Sequence, residues 1–378
     1  MPDTIDPSGL VERVQELTDL ELAMLLSLLA SQHCIITAEQ DDLDSLEQEL
    51  QLVASNVLAL SHKVLRCNKL TTLEDFSDGI LVESKRSTES EQSDGPAKRR
   101  SASPKPQNHK NNFESQQNDR TIANVILITG LSLASDDIQI QALELLRTKR
   151  IFTHTAIHTA PKTFLLVFVT SSSEPRLNHH LRDHIFISHY HSKEDGFANI
   201  EEASEWIEDD RASVSSVIHR STAQHTSNSV PPHVLTQQEI RHLAEEIDKI
   251  SITAEIKAYQ HNIITFLRLH RAVGSGVSPR ATQHLSTLVK YVVTMRAYSS
   301  YADVSRCIAV IHGHTYISPS FVALAIPKVY THRIIITKPE AERSLQYGSQ
   351  LSAVSAIIEG YTPGQVIDEV LQSVEVPV

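Results

Sequence analysis

The residues best suited to chemistry in this sequence are histidines crowded into one stretch. NHHLRDHIFISHYH, residues 178–191, holds His179, His180, His184, His189 and His191. Imidazole binds zinc and titrates near neutral pH, and in an extended segment His189 and His191 fall on one face. Two readings stay open, a metal site and a solvated pH-sensitive surface. Cysteine lends no support to the first. Cys34, Cys67 and Cys307 are far apart and form no C-x-x-C pair, so neither a cysteine zinc site nor a disulfide framework is expected. The expectation is therefore no metal. Neither G-x-S-x-G nor H-E-x-x-H occurs. The paired acids Glu201-Glu202 and Asp209-Asp210 sit in a linker-like stretch, where a solvated charge run is the better reading than a catalytic pair.

A second cluster is basic. PAKRRSASPK, residues 96–105, places Lys98, Arg99 and Arg100 before Ser101 and Ser103. It reads either as a nuclear import signal or phosphate contact, or as a soluble spacer. Ser103-Pro104 has the form of a proline-directed kinase site, and Arg99-Arg100 precedes Ser101. Phosphate at either serine would set negative charge beside the basic cluster and could switch its binding.

The elements that would position these groups follow from apolar patterning. The chain has 378 residues, 40% of them hydrophobic, and a net charge of −12. That is enough apolar material for a core, and too acidic for a whole-surface grip on nucleic acid. The apolar stretch Leu20–Ala30 carries Glu21 and Ser27 and is too short to span a bilayer. The N-terminus lacks a basic start and an apolar signal core. An intracellular protein, cytoplasmic or nuclear or both, with no membrane role, is the expectation.

The apolar runs at 123–129 and 163–170 predict buried strands, and short strands are expected at 32–37, 63–67 and 184–188, with the strand–helix–strand order of a parallel sheet. Helical spacing appears at 8–31, 41–59 and 136–148 between them. Residues 84–120 hold one aromatic and no aliphatic side chain larger than Ala, so they are expected to be disordered. After Val234 the pattern is helical throughout, at 236–247, 253–271, 279–297, 318–330 and 363–373. Thr236 and Glu239 form a capping-box pattern, and Pro279, Pro319 and Pro363 suit first helical turns. The expected organisation is an α/β unit in two parts, 8–83 and 121–192, split by the basic insert 84–120. A linker at 193–232, a helical domain at 233–335 and a tail at 336–378 follow.

This order of elements resembles the MoxR and magnesium-chelatase I-subunit branch of AAA+ ATPases. The helical part carries the clearest signal: VLTQQEI at 234–240, GVSPRATQHLSTLVKYVV at 276–293 and YISPSFVALAIPKVYTHRI at 316–334 are similar to the family's lid segments. IANVILITGLSLASDDIQIQALELL at 122–146, FLLVFVTSSSEP at 164–175 and LRDHIFIS at 181–188 match the α/β half in frame. The resemblance implies a P-loop-NTPase-like α/β fold, a three-layer parallel sheet of about five strands, followed by an all-α AAA+ lid. It places Thr129 and Gly130 where a magnesium-binding Asp and a water-orienting Glu would stand. Ser172 takes the place of a sensor asparagine, and His184 that of an arginine reaching a neighbouring subunit, with Arg182 as a nearby substitute. Arg280 of Ser278-Pro279-Arg280 falls at the lid position that would touch phosphate, or else serves as a structural arginine pairing with the acidic α/β half.

The phosphate loop itself, G-x-x-x-x-G-K-[ST], is missing from the sequence. That loop works because glycine amides converge on phosphate oxygens while Lys and Ser/Thr reach phosphate and magnesium. Of 11 glycines only Gly9 precedes residue 79, and no Gly-Lys pair occurs. The segment at that place, Thr37-Ala38-Glu39-Gln40-Asp41-Asp42, presents three carboxylates. The expectation is a non-catalytic scaffold or regulatory protein that binds protein partners, with other AAA+ subunits as candidates, and has no cofactor. The alternative is an ATPase subunit active only in a mixed ring, with ATP and magnesium.

Overall fold

The computed structural model describes residues 13–14, 16–83, 120–153, 156–201, 235–248, 252–299 and 318–377. Lys98, Arg99, Arg100, Ser101 and Ser103, and nearly all of the predicted insert and linker, lie outside the described residues, as does Cys307.

Valine, isoleucine and leucine runs build the central sheet. Its strands are β1 (Cys34–Ala38), β2 (His62–Arg66), β5 (Val125–Thr129), β8 (Leu165–Ser171) and β9 (Ile187–Tyr190). They lie in the order β2-β5-β8-β1-β9, and every pairing is parallel. All residues of β8 are buried, as a strand covered on both faces requires. Two small antiparallel pairs flank the sheet: β3 (Leu81–Glu83) with β4 (Arg120–Ile122), and β6 (Arg150–Phe152) with β7 (Ile157–Thr159).

The faces are set by alternation along β1. Cys34, Ile36 and Ala38 pack with α1 (Asp19–Leu29), α2 (Leu43–Leu52) and the C-terminal helices in one continuous core. Ile35 faces the other way, onto α3 (Leu73–Gly79), α4 (Asp136–Thr148) and α5 (His179–His184). The C-terminal part comprises α6 (Gln237–Asp248), α7 (Ala254–Leu269), α8 (Pro279–Ser299), α9 (Pro319–Tyr330), α10 (Leu351–Ile358) and α11 (Pro363–Ser373). A short antiparallel pair, β10 (Val273–Ser275) with β11 (Ile335–Ile336), joins them. Leu267, Val329, Tyr330 and Val366 share one core with Leu25 and Val167. Because body and helical part bury the same apolar surface, each stabilises the other. Among the described residues no helix is long and apolar enough to cross a membrane.

Helix boundaries show where side chains overrule periodicity. The helix expected over 8–31 is broken among the described residues: Arg13 and Val14 are helical, residues 16–18 are not, and a new helix starts at Asp19, where Thr18 and Glu21 form a capping box. The helix expected at 41–59 is a 3-10 turn (Gln40–Asp42), an α-helix and a π-turn (Val53–Val57) closed by Leu58 N–H on Val53 O. The strand expected at 184–188 begins only at Ile187. Asn178 caps α5, which runs to His184, so His184 ends a helix and is not a strand residue. The Thr236–Glu239 capping box forms as its spacing predicts.

Residues just after β9 are tied to the body by buried carboxylates. Glu49, 2% exposed, accepts from Asn199 N (3.0 Å), Asn199 Nδ2 (2.8 Å) and Ile200 N (3.0 Å), and Glu21 also accepts from Asn199 Nδ2 (2.9 Å). Glu49→Ala strands two backbone donors and should cost about 2–3 kcal/mol, each unsatisfied group costing roughly 1–3. Urea denaturation measures the loss, and hydrogen exchange at Asn199 and Ile200 should quicken. Unchanged exchange there would show that Glu49 does not anchor this segment.

Candidate functional site

The turn that follows β1 is short. Glu39 leads directly into the 3-10 turn Gln40–Asp42, and α2 starts at Leu43. Ser172, at the end of β8, pins this bend by donating N–H (3.1 Å) and Oγ (3.4 Å) to Ala38 O. Glu39 Oε1 accepts from Tyr190 OH at 2.9 Å, and this bond is the main cause that raises the phenol's pKa. Glu39 and Asp41 are exposed and Asp42 half-buried. The bend therefore offers carboxylates to solvent and contains no glycine.

Across the sheet, the carboxyl ends of β2 and β5 are closed by a buried carboxylate. Glu47, on the first turns of α2, receives a fork from Arg66: Nε to both oxygens at 3.1 Å and Nη2 to Oε1 at 2.7 Å. Thr129 Oγ1 donates to Glu47 Oε2 at 2.9 Å. A carboxylate held by a guanidinium fork and a hydroxyl has few lone pairs left for a metal. Gly130 turns the chain at φ +69°, and a Cβ there would lie 2.5 Å from Cys67 O. This backbone excludes a glutamate at position 130 on two counts, a left-handed φ and a clash. Glu47 and Arg66 had no sequence signal beyond their charge.

The remaining expected residues gather near the first turn of α8. Arg280 and His184, both half-buried, lie within electrostatic reach of each other, together with His284 and Arg333. Burial, then Arg280, pulls the His184 imidazole down to about 4. Among the described residues Arg280 forms no ion pair. Asp183, next to His184, is engaged instead by Ser278 Oγ and lies 3.9 Å from Arg333 Nε. Arg182, 7% exposed, turns into its own chain and donates Nη1 to His332 O at 3.0 Å. His179 and His180 stack at 3.8 Å between ring centroids. His189 and His191 do share a face, 6.3 Å apart, but His189 accepts from Lys328 and His191 packs on Phe197. Among the described residues no group of three His, Cys, Asp or Glu comes together as a metal site.

Residues 286–352 match the family model of the AAA lid domain. A crystal structure of a candidate ATPase from Cytophaga hutchinsonii superposes with a TM-score of 0.58 at 12% identity, covering 98% of this chain and 94% of that one. The chain has an AAA+ fold. A full-length MCM homologue from Methanopyrus kandleri aligns more loosely, with a TM-score of 0.41 and 9% identity, over 87% of this chain and 59% of its own. No curated protein matches the sequence.

In this AAA+ module the lid grips the body through arginines. Arg333, 2% exposed, donates to the carbonyls of Ile185, Phe186, Asp183 and Val329 and to His284 Nδ1. From the body, Arg176 donates to Ile334 O (2.9 Å) and Arg182 to His332 O. Gly276, at φ +106°, lets the chain pass so close to Arg333 that a Cβ would lie 2.2 Å from its carbonyl oxygen. The lid end of the H-R-I segment is thus bound to the α5–β9 turn by its backbone and by its side chains.

Proposed function

We propose that this AAA+ chain is a non-catalytic scaffold or regulatory protein, related to the MoxR and magnesium-chelatase branch, that acts by binding other proteins. The observation that carries this reading is the bend Glu39–Asp42. It is one residue and a single 3-10 turn long, glycine-free and acidic. A triphosphate brought against it meets carboxylates in place of converging amides, and like charges at contact distance repel by several kcal/mol at reduced dielectric, about 4 for one pair at 4 Å and an effective dielectric of 20. The Glu47–Arg66 fork and the Thr129 hydroxyl bond further support it, since they engage the groups nearest the missing acidic pair. The basic insert would add regulated localisation.

Titration with labelled ATP and magnesium is expected to give no saturable binding, and phosphate release should equal that of a protein-free control. Turnover abolished by Arg280→Ala would overturn the proposal.

Arg280 favours a second reading. It is a half-buried lid arginine with no ion pair among the described residues, as a residue awaiting phosphate would be. Under that reading the chain is a member of a mixed ring, completed by an intact relative. Light scattering after size exclusion, with nucleotide and such a relative present, separates the two. A chain that never co-assembles excludes the ring.

A further inference from the structure

One helix of the C-terminal part lacks what a solvent-facing helix needs. α10 (Leu351–Ile358) is 8 residues long, and helices below about 12–15 residues are marginal in water without tertiary support. It has no side-chain cap, no acid in its first turn and no base in its last. Val354 and Ile358 are its buried residues, and neither belongs to the two continuous cores. The helix packs chiefly on two 3-10 turns, Pro339–Ala341 and Arg343–Tyr347.

Its outer side is apolar and uncharged. Leu351 is 49% exposed, Ile357 44%, and Tyr347 on the adjoining turn 88%. No Asp, Glu, Lys, Arg or His occurs from residue 344 to 358, in a chain that is 21% charged. A surface helix ordinarily carries charge on its outer face, and loss of charge beside an aromatic is what sets the centre of a protein interface apart from other surface. Arg343 Nη2 donates to Arg268 O at 3.1 Å, which fixes the turn at the end of α7, next to exposed Leu269. The run is bounded by opposite charges, Arg343 before it and Glu359 after it, and both are exposed.

Charge selects what covers this face. Each copy of the chain carries a net charge of −12, so two copies repel where their acidic surfaces meet, whereas the 344–358 run brings no like charges together. A two-fold contact uses the same patch on both sides. Antiparallel pairing also sets Arg343 of one copy opposite Glu359 of the other, and parallel pairing would set like against like. We propose that α10 and the Tyr347 turn pack antiparallel against the same segment of a second copy, which makes the protein a two-fold dimer. The contact lies in the C-terminal part and needs no nucleotide.

Light scattering after size exclusion of the full chain, between about 1 and 200 μM, should show a dimer that dissociates on dilution. Amide exchange at 352–358 should slow as the concentration rises. Leu351→Glu combined with Ile357→Glu sets like charges on both sides of the contact and should weaken dimerisation at least about 30-fold. Both positions are exposed, so the far-ultraviolet spectrum should stay that of the wild type. Glu359→Arg alone should weaken the dimer about three-fold, and adding Arg343→Glu should restore it, a recovery that a chain damaged in folding does not give. Monomer at every concentration, a dimer that survives Leu351→Glu with Ile357→Glu, or an assembly larger than two would each overturn the proposal.

Discussion

Lowering the pH from 7 to about 5 should remove most of the stability of this protein. Three buried histidines are held neutral by the same device: each accepts a hydrogen bond at Nδ1. His33 accepts from Leu166 N at 3.0 Å, His189 from Lys328 Nζ at 3.0 Å, and His284 from Arg333 Nη2 at 2.6 Å. A proton on Nδ1 would convert each bond into a clash of donors. Burial first, with Lys149 acting on His33, Lys328 on His189 and Arg333 on His284, pulls the three imidazoles to about 3, 4 and 3. In the unfolded chain they titrate near 6.5. The unfolded state thus binds more protons than the native state below that value. The stabilisation is complete above about pH 6.5 and is lost as the pH falls toward 4 and 3.

Each group costs about 1.4 kcal/mol per pH unit in that window, so three groups over about 1.5 units cost roughly 6 kcal/mol. Total stabilities are of order 5–15 kcal/mol, which makes this a decisive fraction. Urea midpoints measured between pH 7.5 and 5 should fall steeply. His33→Asn keeps an acceptor for Leu166 N and removes one titrating group; since His184 and His332 are also held below the ordinary imidazole value by burial, it should flatten the slope by about one fifth. Midpoints that stay level from pH 7 to 5 would show that these rings take up no proton on unfolding.

Replacing Arg333 with Met should cost about 3–5 kcal/mol, the range for removing one partner of a buried charged network. Methionine fills similar space but leaves the Ile185, Phe186 and Val329 carbonyls and His284 Nδ1 without their buried donor. Arg333 itself is lowered to about 10, chiefly by burial, and so remains charged at neutral pH. At roughly 2–4 °C per kcal/mol, the melting point should fall by about 6–20 °C. Arg333→Lys carries its donors on a single nitrogen and cannot span carbonyls on both sides of the body–lid junction, so it should recover less than half of the loss. A melting point within about 2 °C of wild type in Arg333→Met would mean that body and lid hold together by their shared apolar core alone.

How far the fold could be read from the sequence depended on the length of each signal. The runs around Ile126, Phe168 and Ile36 mark the three central strands, since strands covered on both faces are apolar throughout, whereas edge strand β2 (HKVLR) is half-exposed and its apolar signal is weaker. The capping pairs Thr236–Glu239 and Thr362–Gln365 mark helix starts because one side chain and one backbone amide three residues on suffice to make them. The three-residue strands at 81–83, 120–122, 150–152 and 157–159 were not legible, being too short to show a period. H-I-F-I-S looked like a strand from residue 184, yet pairing with β1 begins at Ile187 opposite Cys34.

The candidate site divides along the same line. Residue types alone establish that the bend after β1 is acidic and glycine-free. They also mark the longer strands and helices, since each of these is a local property of a few consecutive residues. Tertiary structure alone decided which charges cancel and which do not. Arg66 finds Glu47 across 19 positions, Thr129 reaches it across 82, and Arg333 holds carbonyls 147 and 148 residues earlier. It also left the Nε of Arg182 buried without a hydrogen-bond partner. Electrostatic partners are chosen by distance in space, and in a parallel sheet every neighbouring strand is separated by a long crossover, so the chain order carries no record of them.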